Sequence, residues 1–190
     1  IFYLTAKTIT ATVAKETFAL LEKNGYRAKT IQITAKEKLC PCDEMECNPV
    51  TCPYAKGHFD RVNDAVFDLL HRCEMIERDD ILSQADRYTV CPFELCLDTA
   101  SWCDNIICDY NYVFDPNVYL KRFFQEGIKG DYIFLIDEAH NMVERSRQMY
   151  SAQIYKEDFL TVKSIMKEHS RSIEKALEKC NKILLGMKRE

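Results

Sequence analysis

A strand–helix–strand pattern at the start of the chain constrains its fold more than any other feature. Residues 1–8, IFYLTAKT, are apolar and end in polar residues, as a buried strand does. Residues 10–23 carry apolar side chains at helical spacing and are followed by Asn24 and Gly25, and residues 29–35 alternate as a second strand. Because parallel strands need a crossover connection of this kind, the pattern predicts an α/β fold with a parallel sheet.

The pattern breaks after this unit, where four cysteines fall within thirteen residues. Three helical patterns follow, at about 56–73, 78–87 and 92–101. Residues 36–104 are therefore expected to be a mainly helical insert in the sheet. Residues 105–114, NIICDYNYVF, are again typical of a strand, and Asp115 followed by Pro116 has the form of a helix start.

A second run of apolar residues ends in acidic ones. Residues 131–141, DYIFLIDEAHN, are suited to a strand buried on both faces, with Asp137 and Glu138 at its carboxyl end. Residues 142–190 are polar and are predicted to form two or three helices.

The amino-acid composition is that of an ordinary globular protein. Hydrophobic residues make up 47% of the 190 residues, no run of eighteen apolar residues occurs, and a net charge of −4 gives no general attraction to phosphate backbones. The first residues lack the features of a signal peptide, so we expect a cytoplasmic protein with no membrane partner and reduced thiols. Since the chain begins inside a predicted strand and without Met, it is expected to be a fragment of a larger protein.

The acidic strand end is a candidate nucleotide site. In doubly wound sheets, ligands bind beyond the carboxyl ends of the strands. There Asp137 can help to hold Mg²⁺, Glu138 can orient or deprotonate an attacking water, and His140 can sense the γ-phosphate. The plain alternative is a strand followed by a helix whose first turn carries acids. The preceding IFLI and the full DEAH string favour the nucleotide site.

A nucleotide site of this kind also needs a phosphate-binding loop, the phosphate cradle, which the sequence does not contain. Such carboxylates work with a loop of the form G-x-x-x-x-G-K-[ST], and none of the five glycines lies in one. Either the nucleotide interpretation is wrong or the cradle lies upstream of Ile1, and the start within a strand favours the second.

Five cysteines in loop-like or proline-flanked settings are candidate metal ligands: Cys40, Cys42, Cys47, Cys52 and Cys91. Four thiolates suit either tetrahedral zinc or a [4Fe–4S] cluster. The distant Cys91 slightly favours the cluster, because a cluster is larger than one ion and tolerates scattered ligands. Unliganded thiols are the third possibility. The other five cysteines lie in periodic segments, where a free cysteine is usually a small buried hydrophobic residue.

Three aromatic residues are weighed as core or binding residues. Trp102 can stack a nucleic-acid base, but its apolar helical setting predicts a core position. Tyr110 and Tyr112 alternate on the predicted strand, so one of them is expected to face the core.

The ordered set of motifs resembles a known family, the iron–sulfur superfamily-two DNA helicases of the XPD/DinG type. IFYLTAKT matches their motif Ia, AKEKLC the approach to the first cluster cysteine, and CPYAKG and VCPFELC the third- and fourth-ligand contexts. CDYNYVFDP is similar to a family strand and LIDEAHN matches motif II. The similarity covers about residues 1–145, and the bacterial DinG-like branch is the expected one.

The resemblance implies a domain organisation. Residues 1–35 and 105–145 would form part of a RecA-like P-loop NTPase sheet, the first motor domain of a helicase. Residues 36–104 would form the inserted iron–sulfur domain, and residues 146–190 the start of a helical arch domain.

The resemblance also implies site residues. The [4Fe–4S] ligands would be Cys40, Cys47, Cys52 and Cys91. Cys40 is preferred as the first ligand because it follows K-x-L, and Cys42 is the alternative. Asp137 and Glu138 would serve Mg²⁺ and water activation, with His140 beside them. DNA contacts would come from Thr5 and Lys7 on the translocating strand and from Lys36 near the point of strand separation.

These expectations define a function. The chain would be part of an ATP-dependent 5′→3′ DNA helicase of DNA repair, acting on single-stranded or forked DNA, and inactive and monomeric as a fragment. Mg²⁺ and ATP would bind only in the full-length parent. The alternative is a zinc-stabilised module that binds nucleic acid or a protein partner without ATP turnover.

Overall fold

A parallel sheet organises the protein in a computed structural model that describes residues 1–6 and 8–187, without the side chains of Thr8 and Ile9. Its five strands, within the described residues, are β1 (Phe2–Thr5), β2 (Thr30–Gln32), β3 (Met75–Ile76), β4 (Asn105–Asp109) and β5 (Phe134–Ile136). Their order is β3-β2-β4-β1-β5, and every neighbouring pair is parallel. The α/β fold with a parallel sheet is confirmed.

Helices fill the connections and follow the sheet. They are α1 (Thr8–Lys23), α2 (Lys36–Leu39), α3 (His58–Arg72), α4 (Arg78–Tyr88), α5 (Pro92–Ala100), α6 (Asn111–Phe114), α7 (Lys121–Phe124), α8 (Met142–Met149), α9 (Lys156–Met166) and α10 (Arg171–Met187). The predicted helices near 10–23, 56–73, 78–87 and 92–101 are confirmed, as are the three helices after residue 142.

Local signals explain where the insert helices begin. Glu77 and Asp80 form a capping box at the start of α4, each side chain bonding the other residue's backbone N–H. Pro92 opens α5, where its missing N–H costs no helical hydrogen bond.

The two faces of the sheet are covered differently. Along β1, Phe2 and Leu4 point into the larger core, which contains buried residues of α3, α4 and α5. Tyr3 points to the other face, where Ala14 and Phe18 of α1 form the smaller core. This alternation is the period of two that a strand imposes on its side chains.

The chain divides into two compact units, Ile1–Tyr150 and Ser151–Glu190. The first contains the whole sheet and the cysteine-bearing segment. In the second, α9 and α10 pack together, with Lys163 of α9 lying 3.9 Å from Glu178 of α10. No helix in the described part of the chain is long and apolar enough to cross a membrane.

The predicted strand over 105–114 is too long. β4 ends at Asp109, whose side chain accepts a hydrogen bond from the Asn111 backbone N–H (2.8 Å), a local turn that competes with the ladder. Tyr110 is fully buried and Tyr112 lies in α6, so the core tyrosine is correctly expected but the strand around it is wrong.

The helix predicted to begin at Asp115 is also wrong as a continuous element. The Asp115 carboxylate accepts the backbone N–H of Asn117 (2.8 Å), and the chain makes turns until α7 begins at Lys121. A short polar side chain can satisfy the local backbone in a turn as well as at a helix start.

Two burial predictions are wrong. Trp102 follows the end of α5 and is 71% exposed rather than in the core. β5 is not buried on both faces, because it lies at the sheet edge with β1 as its one strand neighbour among the described residues. Phe134, Leu135 and Ile136 therefore remain 37–43% exposed.

Candidate functional site

A cleft of about 600 Å³ lies where the carboxyl ends of β1, β2 and β4 meet. Thr5 and Ala6 line it from β1, Thr34 from the end of β2, and Asp109 and Asn111 from the end of β4. Thr5, a predicted DNA contact, is buried at the wall of this cleft. Lys7, the other contact predicted from the same strand, lies outside the described residues.

The acidic residues lie at the carboxyl end of β5. The backbone N–H of Asp137 donates to Leu4 O of β1 (3.0 Å), which continues the ladder one residue beyond the strand. Glu138 then adopts a left-handed conformation with a φ of 50°, which is unfavourable for a residue with a side chain. Strain of this kind is often retained at functional sites. His140 Nδ1 lies 3.2 Å from Glu138 Oε2, so the structure brings these two predicted residues together.

Two tyrosines border Asp137. The buried Tyr110 hydroxyl donates a hydrogen bond to the Asp137 backbone oxygen and so ties the end of β4 to the end of β5. Burial, followed by the charges of Asp137 and Glu138, raises the pKa of Tyr110. Burial and Asp137 likewise raise the pKa of Tyr3, so both hydroxyls stay protonated at neutral pH. Asp137 thus has its backbone fixed by hydrogen bonds to Leu4 of β1 and to Tyr110, which follows β4.

The first four candidate cysteines occupy an irregular loop between α2 and α3. Buried Leu39 anchors the end of α2, and the Cys40 backbone N–H donates to Lys36 O (2.8 Å). Within the loop, Asn48 Oδ1 accepts the N–H groups of Val50 (2.9 Å) and Thr51 (3.0 Å), which forms a turn between Cys47 and Cys52. The loop is held by these side chain to backbone bonds and by local backbone bonds, such as the Cys52 N–H donating to Asn48 O (3.0 Å), rather than by a helix or strand.

The thiols of this loop interact electrostatically. Desolvation, together with the neighbouring thiols of Cys52 and Cys40, raises the pKa of Cys42 to about 11. A hydrogen bond with the Cys47 side chain raises the pKa of Lys36, and the nearby Cys91 thiol adds to this shift. The structure therefore places Cys42 beside Cys40 and Cys52, and Cys47 beside Cys91 and the ammonium group of Lys36.

Cys91 reaches this neighbourhood from another part of the chain. It precedes α5 and follows Thr89, which has a left-handed φ of 50°, and fully buried Val90. Its backbone N–H donates to Nδ1 of His58 (3.2 Å), the first residue of α3. Burial raises the pKa of the Cys91 thiol.

Thiols dominate the candidate donor set, and both zinc and iron–sulfur clusters take thiolate ligands. Among the described residues, no group of three or more His, Cys, Asp or Glu side chains is close enough to hold a single metal ion. Thiolates on tetrahedral zinc lie only about 3.8 Å apart, from a Zn–S bond of about 2.3 Å. Thiolate ligands of a [4Fe–4S] cluster stand further apart. The candidate cysteines lie in two groups, Cys40, Cys42 and Cys52 in one, and Cys47 and Cys91 beside Lys36 in the other.

Arg78 is a cleft residue that the sequence did not point to. Arg78, the first residue of α4, lines the cleft beside Lys38 and donates to Lys38 O (3.0 Å). It lies just beyond β3, a strand of two residues that is too short to give a sequence pattern. Recognising β3 would have pointed to Arg78, since residues after parallel strands meet at one edge of the sheet.

The class of protein defined by these features is an α/β motor-type domain with acids at the carboxyl end of an edge strand. The model of the DEAD_2 family matches residues 14–159, more than half of the chain. The chain therefore belongs to this family and is part of an XPD-type superfamily-two helicase.

Similar curated proteins agree with this assignment. The chain is 32% identical over 108 residues (57% of the chain) to the general transcription and DNA repair factor IIH helicase subunit XPD/RAD3 of Saccharomyces cerevisiae. It is 28% identical over 76 residues (40% of the chain) to a Fanconi anemia group J protein homolog of Gallus gallus. It is also 19% identical over 166 residues (80% of the chain) to the regulator of telomere elongation helicase 1 of Rattus norvegicus.

These matches cover only a small part of each relative. The chain spans 13% of the yeast protein, 6% of the chicken protein and 13% of the rat protein. The narrower assignment to a bacterial DinG-like branch stays a prediction.

Proposed function

We propose that the chain is part of the first motor domain of an ATP-dependent DNA helicase, with an iron–sulfur domain inserted in the motor. The observation that carries this proposal is the DEAH segment at the carboxyl edge of a parallel sheet in a chain of the DEAD_2 family. In such sheets this edge is where nucleotides bind.

The local geometry supports the proposed roles at this edge. Bound Mg²⁺ would neutralise developing charge on the phosphates. Asp137, whose backbone is fixed between β1 and Tyr110, would contribute a carboxylate to Mg²⁺. Glu138 turns out of the strand in its left-handed conformation and would orient the attacking water, and His140 would hold the Glu138 carboxylate in place.

The motor needs more than the described residues supply. The sequence holds no phosphate loop, so ATP turnover is a property of a helicase that carries this chain, and the 190 residues alone are expected to be inactive. Single-stranded DNA would pass the cleft beside Thr5, with Lys7 and Lys36 as phosphate contacts. Translocation in the 5′→3′ direction on forked DNA remains part of this proposal.

The domain boundaries belong to the same proposal. Residues 1–35 and 105–145 would form the motor part, 36–104 the iron–sulfur insert, and residues from 146 the start of the arch. The insert shares the sheet through β3, which pairs with β2, so a change in the insert can be transmitted to the motor sheet.

The proposed cluster would be held by Cys40, Cys47, Cys52 and Cys91, with Cys42 as the alternative first ligand. The proximity of Cys42 to Cys40 and Cys52, and that of Cys47 to Cys91 and Lys36, supports it. When bound, the cluster would crosslink the loop before α3 to the start of α5.

The motor proposal is tested with Glu138→Gln in a full-length helicase that carries this chain. The amide keeps the size of the side chain but cannot act as a base, so ATP binding should persist while turnover falls by 100-fold or more, at the order of general-base effects. Glu144→Gln, which changes an exposed glutamate of α8, is the matched control and should leave turnover unchanged. Unaltered turnover in Glu138→Gln would refute the assigned role.

A further inference from the structure

We propose that His58 is a positioning residue that holds Cys91 in place as a cluster ligand. This inference rests on the proposed cluster but concerns a residue outside the ligand set. It depends on four observations. They are the bond of His58 to Cys91, the unpartnered second nitrogen of its ring, the Asp98 carboxylate that Arg122 holds near that nitrogen, and the hydrogen bonds of Arg61 to the segment before Cys91.

The bond to Cys91 defines the state of the imidazole. Nδ1 of His58 accepts the Cys91 backbone N–H at 3.2 Å, so Nδ1 carries no proton and Nε2 carries it. His58 is only 4% exposed, and the bond spans 33 residues of sequence. It therefore connects the start of α3 directly to the ligand that stands apart from the other cysteines.

The second ring nitrogen of His58, Nε2, lies near the Asp98 carboxylate but forms no hydrogen bond with it. Nε2 is buried and has no hydrogen-bond partner among the described residues, and a buried polar atom left this way is costly. Asp98 Oδ2 of α5 lies 3.8 Å away, so a shift of less than about 1 Å would complete a bond of normal length. An apolar residue would fill this position without such a cost.

Asp98 is itself held by a cation. Arg122 of α7 bonds the Asp98 carboxylate and also Glu94 at 2.9 Å. Arg122 thus holds the Asp98 carboxylate 3.8 Å from Nε2 of His58, whose Nδ1 accepts the Cys91 backbone N–H. Partners of this kind beyond the ligands commonly fix the geometry of metal sites.

A clamp formed by Arg61 fixes the other side of Cys91. From the first turn of α3, Arg61 donates to Tyr88 O (2.8 Å) and Thr89 O (2.5 Å), just before Cys91. It also donates to Lys56 O (2.8 Å), four residues after Cys52. The first turn of α3 therefore joins the loop of the early cysteines to the segment that carries the last one.

The test compares two substitutions at His58. His58→Asn keeps an oxygen near the position of Nδ1 that can accept the Cys91 N–H, whereas His58→Leu fills a similar volume and accepts nothing. His71→Leu, an exposed histidine of the same helix, is the matched control. The readout is the rate at which anaerobically reconstituted chain loses iron to a chelator.

The inference predicts a clear order of rates. His58→Leu should lose iron about tenfold faster or more, the size typical for such partners, while His58→Asn stays within about threefold of the wild type and His71→Leu is unchanged. Equal rates for wild type and His58→Leu would overturn the inference, as would a His58→Asn rate equal to that of His58→Leu.

Hydrogen exchange separates this inference from the cluster itself. In the metal-free wild type, the Cys91 amide should be protected because His58 accepts its proton, and protection should fall in His58→Leu but not in His71→Leu. If His58→Leu does not fold, the protection of the Cys91 amide in the metal-free wild type still decides. A wild type that takes up no iron would refute the cluster, and an unprotected Cys91 amide would refute the role of His58.

Discussion

The cysteines of this protein occupy two contrasting settings. Cys96, Cys103 and Cys108 lie in or against the main core, where burial raises the pKa of Cys96 and of Cys103 to about 12 and also raises the pKa of Cys108. The five candidate ligands lie at partly open positions in a loop or at a helix start. The count of cysteines therefore carries less information about metal chemistry than the setting of each one.

The largest difference between the settings is expected from single serine substitutions. Cys91→Ser should abolish cluster retention and loosen residues 36–104, because the loop loses its link to α5. The matched change in the core, Cys96→Ser, should keep the cluster and cost on the order of 1–3 kcal/mol from a buried, poorly paired hydroxyl. Limited proteolysis of the insert and iron content measure the two effects.

Retention of iron by Cys91→Ser would contradict the difference between loop and core cysteines. If Cys91→Ser keeps its iron and its protease resistance, Cys91 belongs with the core cysteines and the ligand set is wrong.

A second prediction divides the loop cysteines themselves. Cys40→Ser should lose most of the cluster, whereas Cys42→Ser should keep it, because only four of the five thiols are needed. The iron content of the two variants, purified anaerobically side by side, checks this. Iron loss in Cys42→Ser alone would make Cys42, not Cys40, the first ligand. The test is needed because Cys42 lies beside both Cys40 and Cys52.

Thiol reactivity should show the same contrast with a smaller effect. Only a thiolate reacts with iodoacetamide, and at pH 8 a thiol with a pKa of about 12 is ionised in about one molecule in 10,000. Cys96 and Cys103 should therefore stay unmodified in the native chain, while the loop cysteines react unless the cluster covers them. Mass spectrometry of digested protein locates the modified residues, and fast labelling of Cys96 would contradict its burial.

The raised pKa values of Cys96 and Cys103 also predict an effect on the free energy of unfolding at high pH, which is the smallest effect expected here. Because folding holds Cys96 and Cys103 neutral, the unfolded chain loses these protons first, near the ordinary value of 9.0. Their contribution to stability is complete below that pH and is lost as the pH rises towards about 12. Cys96→Ala should reduce this alkaline loss in denaturant titrations at pH 8 and pH 10, and an unchanged pH dependence would contradict the assignment.

Sequence patterns predicted the repetitive parts of the fold well. The β1–α1–β2 unit and the helices of the insert carry clear periods of two or 3.6 residues, which is why they were located. β3 could not be found because two residues define no period. The turn at Asp109 was missed because an aspartate can serve equally in a strand end, a turn or a helix cap.

The site was predictable as residue types but not as a network. The DEAH string and the spaced cysteines stand out in the sequence, since their chemistry requires those residue types. His58, Asp98 and Arg122 are ordinary residues on three separate helices, and only their distances in the fold relate them. The exposure of β5 was unpredictable for a similar reason, because a strand's pattern does not tell whether it lies at the edge of the sheet.

Iron and acid-labile sulfide analysis of the anaerobically purified chain tests the central claim most directly. The account predicts about four iron and four sulfide per chain, as in one [4Fe–4S] cluster, and their loss in Cys91→Ser but not in Cys96→Ser. One zinc per chain with neither iron nor sulfide would contradict it and favour a zinc-stabilised binding module.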